Sequence, residues 1–292
     1  MNKNLIITLE NMQSDRDVVY VGDHVRASTA TSVILLNPDT LVCCHFDGCK
    51  IFLVNFNLHD GTYNFIDSLD TTFNGQKTST DLMATDGHGN LLTSNFFHKS
   101  CTFYRFENNK IEHAADINHT IENFVHGVKY YNRDIVAVTS RNQSGGVHFI
   151  DRKTHKVIFR LNTPDLSVQD ICFLSDNRLV MVSGNGSPEL HSSDIYSSVL
   201  HVVDFSMNGK TASVVKAKVF EASHLDQIAL HQNNLYFTDQ YNNEVICLDA
   251  ETLEPSGHYE NYDFPHGIDV NHGIIAVTNY GSNTVELRSL SN

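Results

Sequence analysis

One short motif occurs twice in this chain and carries a residue that folding does not ask for. "FVHGVKY" at 124–130 and "FPHGIDV" at 264–270 both read Phe-x-His-Gly-(Val/Ile), about 140 residues apart, each opening an apolar run. The glycine suits a tight or closely approached backbone, and the apolar residues suit a buried strand. Neither explains an imidazole. Histidine titrates near neutrality, shuttles protons and ligates metal ions, so His126 and His266 are expected to act as an acid–base pair or as metal ligands. Asp81, Asp170 and Asp226 open comparable runs elsewhere, where a carboxylate could orient an imidazole, and Thr31 opens another. Tyr280 and Tyr241 could add a phenol donor, and Arg26 and Arg141 are the nearest guanidinium groups for holding an anion.

The elements that would position these residues repeat. Segments beginning at Thr31, Asp81, His126, Asp170, Asp226 and His266 share one pattern. A polar residue leads into a short apolar strand, then a turn rich in Asn, Asp and Gly, a second apolar strand, a polar cluster and a third strand. Spacings of about 40–56 residues without helical periodicity predict an all-β fold, a six-bladed β-propeller with four-stranded antiparallel blades around a central channel. The sixth unit runs through "TVELRSLSN", its third strand. An amino-terminal strand, from "NLIITLE" or "DVVYVG", is expected to complete it and so close the ring without an open edge.

In such blades the start of the first strand and the end of the second meet at one mouth. The expected first ring is Thr31, Asp81, His126, Asp170, Asp226 and His266. The expected second ring is His45, Asn95, Thr139, Ser183, Asp239 and Asn279. Residues 126 and 266 are three units apart, half a turn of six, and should face each other across the pore. His45, Asn95, Asp239 and Asn279 are candidate ligand-binding groups there. An insertion in the fourth unit, Ser187–Ser198, falls on the same face as a candidate lid. His88, His231 and His272 fall in turns on the opposite face and are read as solvated.

Composition narrows the partners. Lys and Arg number 20 against 34 Asp and Glu, a net charge of −14, which repels phosphate backbones and anionic lipid surfaces and argues against nucleic acid and membrane. The apolar run Leu5–Leu9 is too short for a signal segment or a membrane span. Six cysteines without a CxxC pair point to a reduced, cytoplasmic chain. Strand alternation spreads Cys43, Cys44, His45 and Cys49 over two faces, against a zinc cluster there. No phosphate loop, GxSxG or HExxH motif occurs.

The segments "LYFTDQYNNEVICLD" and "IIAVTNYGSNTVELRS" resemble the repeat of NHL and gluconolactonase-like six-bladed propellers, although several units lack the usual Asp after the second strand and the chain has no tryptophan. The Pro265-His266-Gly267 motif is similar to the zinc-histidine motifs of the peptidylglycine amidating lyase propeller, and Val125-His126-Gly127 less so. That resemblance implies zinc on His126 and His266 with a third histidine, for which His224 is the nearest candidate but lies two residues out of register. The gluconolactonase-like enzymes imply instead a calcium site, for which Asp239, Asn95 and Asn279 have the right chemistry. The expectation is therefore a small-molecule enzyme of lyase, isomerase or cyclase type at the channel mouth, with or without a divalent metal, zinc or calcium. A non-catalytic ligand-binding or protein-interaction propeller is the alternative.

Overall fold

The computed structural model describes residues 4–9, 19–21, 24–26, 29–117, 124–141, 145–163, 167–184 and 197–290. Six four-stranded antiparallel sheets form the fold, and the described residues contain no helix. The innermost strands of blades 1 to 6 are Ala30–Asn37, Thr80–Thr85, Phe124–Tyr130, Ser167–Ser175, Leu225–His231 and Pro265–Asn271. Each packs against the innermost strand of the next blade, and that of blade 6 packs against blade 1, so the sheets form a closed ring. The molecule is a six-bladed β-propeller.

Blade 6 is completed by the amino terminus. Asn4–Thr8 pairs antiparallel with Thr284–Ser289 in the register Ile6↔Glu286. The sequence of this strand explains the choice: its burial alternates, with Leu5 and Ile7 inside and Asn4, Ile6 and Thr8 outside. Leu5, Ile7 and Leu9 pack with Leu35, Phe56, Val285 and Leu287 between blades 6 and 1. Each such side chain stabilises closure by about 1.5–3 kcal/mol. "DVVYVG" does not close the ring; Val19–Val21 pairs with His24–Arg26 in a separate hairpin. The Arg26 side chain and the 187–196 part of the fourth-blade insertion lie outside the described residues.

One irregularity recurs in every inner strand and decides what reaches the pore. The ladder between first and second strands breaks between Ala30 and Ser32, Thr80 and Met83, Val125 and Val128, Val168 and Asp170, Leu225 and Ile228, and Pro265 and Ile268. A bulge frees a residue from its partner strand and re-aims its side chain. The freed residues are Thr31, Asp81, His126, Gln169, Asp226 and His266. Blade 4 therefore contributes Gln169 to the ring, not Asp170 as expected from the sequence. Its bulge is one residue shorter than those of blades 2, 3, 5 and 6, and that single residue shifts the register.

Candidate functional site at the channel mouth

His126 and His266 come from opposite blades and meet across the axis, with ring centroids 5.7 Å apart. Their backbones are wired alike. His126 Nδ1 lies 2.8 Å from the carbonyl oxygen of Gln169 in blade 4, and His266 Nδ1 lies 2.8 Å from that of Thr31 in blade 1. A carbonyl can only accept, so both rings carry their proton on Nδ1 and present Nε2 to the pore. The glycine that follows makes the lock possible. A Cβ at Gly127 would stand 2.8 Å from Gln169 O, and one at Gly267 would overlap Thr31 O. The amides of both glycines donate to a second-strand hydroxyl, Thr139 Oγ1 and Thr278 Oγ1, at 2.6 Å. The repeated motif is thus a device for pinning an imidazole to the next blade.

Asp81 and Asp226, also from opposite blades, fill the other two sides. His126 Nε2 is 3.4 Å from Asp81 Oδ2 and from Asp226 Oδ1, and His266 Nε2 is 3.6 Å from Asp81 Oδ1 and 3.5 Å from Asp226 Oδ2, so each carboxylate turns one oxygen to each imidazole. All four side chains are buried. The spacings are too long for charge-assisted hydrogen bonds, which run about 2.7–2.9 Å. Four ligands held tetrahedrally about a zinc-like ion at 2.0–2.2 Å lie about 3.3–3.6 Å from one another. Ligand atoms of Asp81, His126 and His266 all fall within 4.8 Å of one another, as a shared ion requires. His126 Nε2 and Asp226 Oδ1 are buried without a hydrogen bond among the described residues, and both Gln169 amide atoms share that condition in the adjoining ring position. Burial alone would raise the Asp226 carboxyl; the charges of His266, His126 and His224 outweigh it and hold it below the usual carboxylate value. Gln240 Nε2 donates to Asp226 Oδ2 at 2.9 Å and fixes that carboxylate.

The remaining expected residues separate into those near this centre and those used elsewhere. Asp170 binds Lys129 Nζ at 2.9 Å and accepts the Ile228 amide at 3.1 Å, tying blades 3, 4 and 5 beside the pore rather than joining the histidines. Burial pushes its carboxyl up against the pull of Lys129. Ser32 and Gln227 take the same position in blades 1 and 5 and likewise accept the next blade's amide, from Met83 and Ile268. Thr31 holds a ring position, but its hydroxyl donates to Thr80 O at 3.2 Å, so its part is to offer its carbonyl to His266.

The second ring turns back into its own blades. Asn95 donates to Ser100 Oγ and Thr102 Oγ1, and Asn279 accepts the Asp263 amide and donates to Thr284 Oγ1. Asp239 accepts Ser223 Oγ at 2.6 Å and the amides of His224 and Tyr241. His45 Nδ1 accepts the Gly48 amide at 2.8 Å. These side chains staple turns, and the Asp239, Asn95 and Asn279 set does not assemble around one point. In blade 3 the position belongs to Ser140, paired with Val125, instead of Thr139.

Directly above the ring lies a rim, of which the sequence had offered Arg141 and Tyr280 but not Phe46, Phe96 or Gln240. Phe46, Phe96, Gln240 and Tyr280 donate their amides to the carbonyls of Thr29, Ser79, His224 and Phe264, each two residues before a ring residue. Arg141, paired with Phe124, and Gly184, paired with Ser167, take the same place in blades 3 and 4. Tyr280 stacks on the His266 ring at 5.5 Å and 20°, and Tyr241 meets His224 edge-on at 5.4 Å. His224 is buried with Nε2 4.0 Å from Asp226, and burial pushes its pKa down to about 3. The charge of Arg141 lowers the pKa of both His224 and Asp226.

No protein family matches the sequence, and no curated protein does. The fold does have solved counterparts. Hydrazine synthase of Kuenenia stuttgartiensis aligns with a TM-score of 0.58 at 12% identity, covering 92% of this chain and 98% of that one. The WD40 β-propeller domain of Doa1 aligns at 0.60 with 12% identity over 98% of both chains. The Cps50 (Swd1) β-propeller domain of Myceliophteria thermophila aligns at 0.56 with 10% identity, covering 92% and 85%. At such identities the likeness establishes the propeller and nothing about its chemistry.

Proposed function

We propose that the protein is a small-molecule enzyme of lyase or isomerase type whose reactive centre is the Asp81–His126–Asp226–His266 tetrad, in which Asp81, His126 and His266 would hold a divalent ion of the zinc class with Asp226 beside it. One observation carries this reading. Ligand atoms of Asp81, His126 and His266 gather within 4.8 Å of one another, and the Nε2···O separations of 3.4–3.6 Å around them do not suit hydrogen bonds. The donor set selects among metals: two imidazoles and one carboxylate match zinc, manganese or iron and leave a position open, whereas calcium prefers six to eight oxygens. The Thr31 and Gln169 carbonyls would serve as the outer partners that fix the tautomer of ligating histidines. A bound ion of this class supplies Lewis acidity and a water acidic near neutrality. The chain's own groups would do the rest: Gln240 holds Asp226 in place, and Gln169 offers a donor and an acceptor to a ligand. The six free thiols accord with a reducing compartment.

Elemental analysis of protein purified without chelator tests the centre, together with zinc and manganese titration of the chelated protein by calorimetry. One equivalent is expected, with loss in His126→Ala, His266→Ala and Asp81→Asn. Absence of any ion, with no binding of either metal, refutes the centre. Catalysis is separated from scaffolding by turnover: the two histidine variants should abolish it at nearly unchanged melting temperature.

A further inference from the structure

The mouth above the tetrad combines flat aromatic surface with positive charge in an acidic protein. Phe96 and Phe124 stack in parallel at 4.9 Å and 7°, and Phe46 and Phe97 close around Phe96. Phe97 and Tyr241 stay exposed at 40% and 43% although both are large and apolar. Two cations sit on the stack: Arg141 Cζ is 5.9 Å from the Phe96 centroid, and Lys99 Nζ is 5.5 Å from that of Phe124. Among the described residues no ion pair involves Arg141, in a chain where 34 acidic residues face 20 basic ones. Opposite Arg141 in the rim stands Tyr280, stacked on His266. Gly184 leaves the blade 4 position of the rim without a side chain, and Gln169 below it keeps both amide atoms unsatisfied in a buried setting.

We infer that the substrate is a planar, unsaturated monocarboxylate, and this rests on the reading of the pore as a reactive centre for a small molecule. Its carboxylate would engage Arg141, its flat face would lie against the aromatic rim, and the unsaturated part would reach toward the tetrad and Gln169. The physical grounds are independent of the metal. Guanidinium pairs with carboxylate in two parallel hydrogen bonds. Aromatic walls favour a π-face over a saturated ring of equal area. A phenylalanine stack that already holds a guanidinium presents it in one orientation, which lowers the ordering cost of binding. A cationic ligand would meet Arg141 and Lys99 instead and be repelled.

The test uses the full-length protein, zinc-loaded and chelated, with trans-cinnamate, cyclohexanepropionate and phenethylammonium as probes. Binding is read by calorimetry and by the tyrosine fluorescence of a chain that has no tryptophan. Cinnamate should bind saturably and at least tenfold more tightly than cyclohexanepropionate, with no binding of the cation. Arg141→Gln should weaken cinnamate at least tenfold, and Phe96→Leu should erase the preference for the aromatic probe. Both variants should keep the wild-type melting temperature and zinc stoichiometry. Failure of cinnamate to bind, preference for the cation, or unchanged affinity in Arg141→Gln overturns the inference. If zinc still binds in that case, the metal centre stands alone; if cinnamate binds and zinc never does, the substrate class stands and the centre falls.

Discussion

The glycines after the two histidines give the sharpest test of how the fold builds its pore. Neither Gly127 nor Gly267 has a positive φ, so backbone freedom is not the reason for them; space is. A Cβ at Gly127 would meet Asp170 Oδ1 at 2.5 Å, Gln169 O at 2.8 Å and Asp170 Cα at 2.9 Å. A Cβ at Gly267 would overlap Thr31 O and stand 2.7 Å from Ser32 Cα. Those atoms are backbone, or a carboxylate already fixed by Lys129 and the Ile228 amide, so relief requires adjacent blades to part. Overpacking of this kind costs about 1–3 kcal/mol. With an unfolding entropy of about 2.1 cal/mol/K per residue, the 292 residues give roughly 0.6 kcal/mol/K, so Gly127→Ala and Gly267→Ala should each lower the melting temperature by about 2–5 °C. Parting the blades also lengthens the Nδ1 bonds to Gln169 O and Thr31 O, so both variants should bind zinc at least tenfold more weakly. Gly273→Ala is the control, because Gly273 has φ +72° and nothing within 4 Å; it should cost about 1 kcal/mol through conformation and leave zinc affinity unchanged. Scanning calorimetry and zinc titration measure both quantities. A Gly267→Ala protein with wild-type melting and wild-type zinc affinity would show that the close approach does not hold the imidazole, and the reasoning from motif to pore would fail.

Three further outcomes follow from the geometry. Asp170→Asn strands the Lys129 ammonium and should cost about 3 kcal/mol while leaving zinc stoichiometry intact. Asp226→Asn should weaken zinc binding and move the melting temperature of the chelated protein by less than about 2 °C; the reverse pattern would return Asp170 to the site. Burial lowers the His45 pKa from 6.5 to about 4; the unfolded imidazole takes a proton that the folded one refuses, so its contribution is complete above pH 6.5 and is lost as pH falls toward 4. That contribution is up to about 3 kcal/mol, and His45→Asn should flatten the acid limb of the melting temperature against pH; an unchanged limb refutes it. Burial also pushes the Cys44 thiol up to about 12, so a thiol reagent should leave it unmodified in the native protein at pH 8, and its rapid native labelling by mass spectrometry counts against the packing described.

Pattern made the blades legible because apolar strands and turn residues recur in the chain itself, whereas the closing strand stayed open between "NLIITLE" and "DVVYVG" until the pairing of Asn4–Thr8 with Thr284–Ser289 decided it. The His126–His266 opposition was legible for the same reason, being a matter of counting three units in six. Gln169 was not. A bulge suspends the alternation that tells one face from the other, and whether it frees one residue or two depends on packing against the next blade, which sequence order does not encode. The Asn and Asp residues at 95, 239 and 279 looked like mouth groups because their types suit ligands, yet the same oxygen and amide groups suit the turns they sit beside, and local hydrogen bonds claim them first. Phe46, Phe96 and Phe124 were hidden by the opposite ambiguity: an aromatic at a strand end reads as core until its neighbours across three blades are known.

The ring has an internal logic that bears on what the pore is for. Taken in blade order it reads Thr31, Asp81, His126, then Gln169, Asp226, His266, so each half-turn supplies one uncharged polar group, one carboxylate and one imidazole. In a six-fold ring, that repetition necessarily sets carboxylate opposite carboxylate and imidazole opposite imidazole, with each imidazole beside one carboxylate in the ring and facing the other across the pore. Blade-to-blade cohesion does not need this arrangement, because Ser32, Asp170 and Gln227 already provide it one residue further on. Without a ligand the two carboxylates, buried and like-charged, depend on the imidazoles for their stability, and the observed separations are wider than direct pairing favours. The bulges and the carbonyl locks on both Nδ1 atoms hold the four groups at that width. A pore built only to stand would be expected to close it; one held open at this width is the arrangement that the proposed metal centre requires.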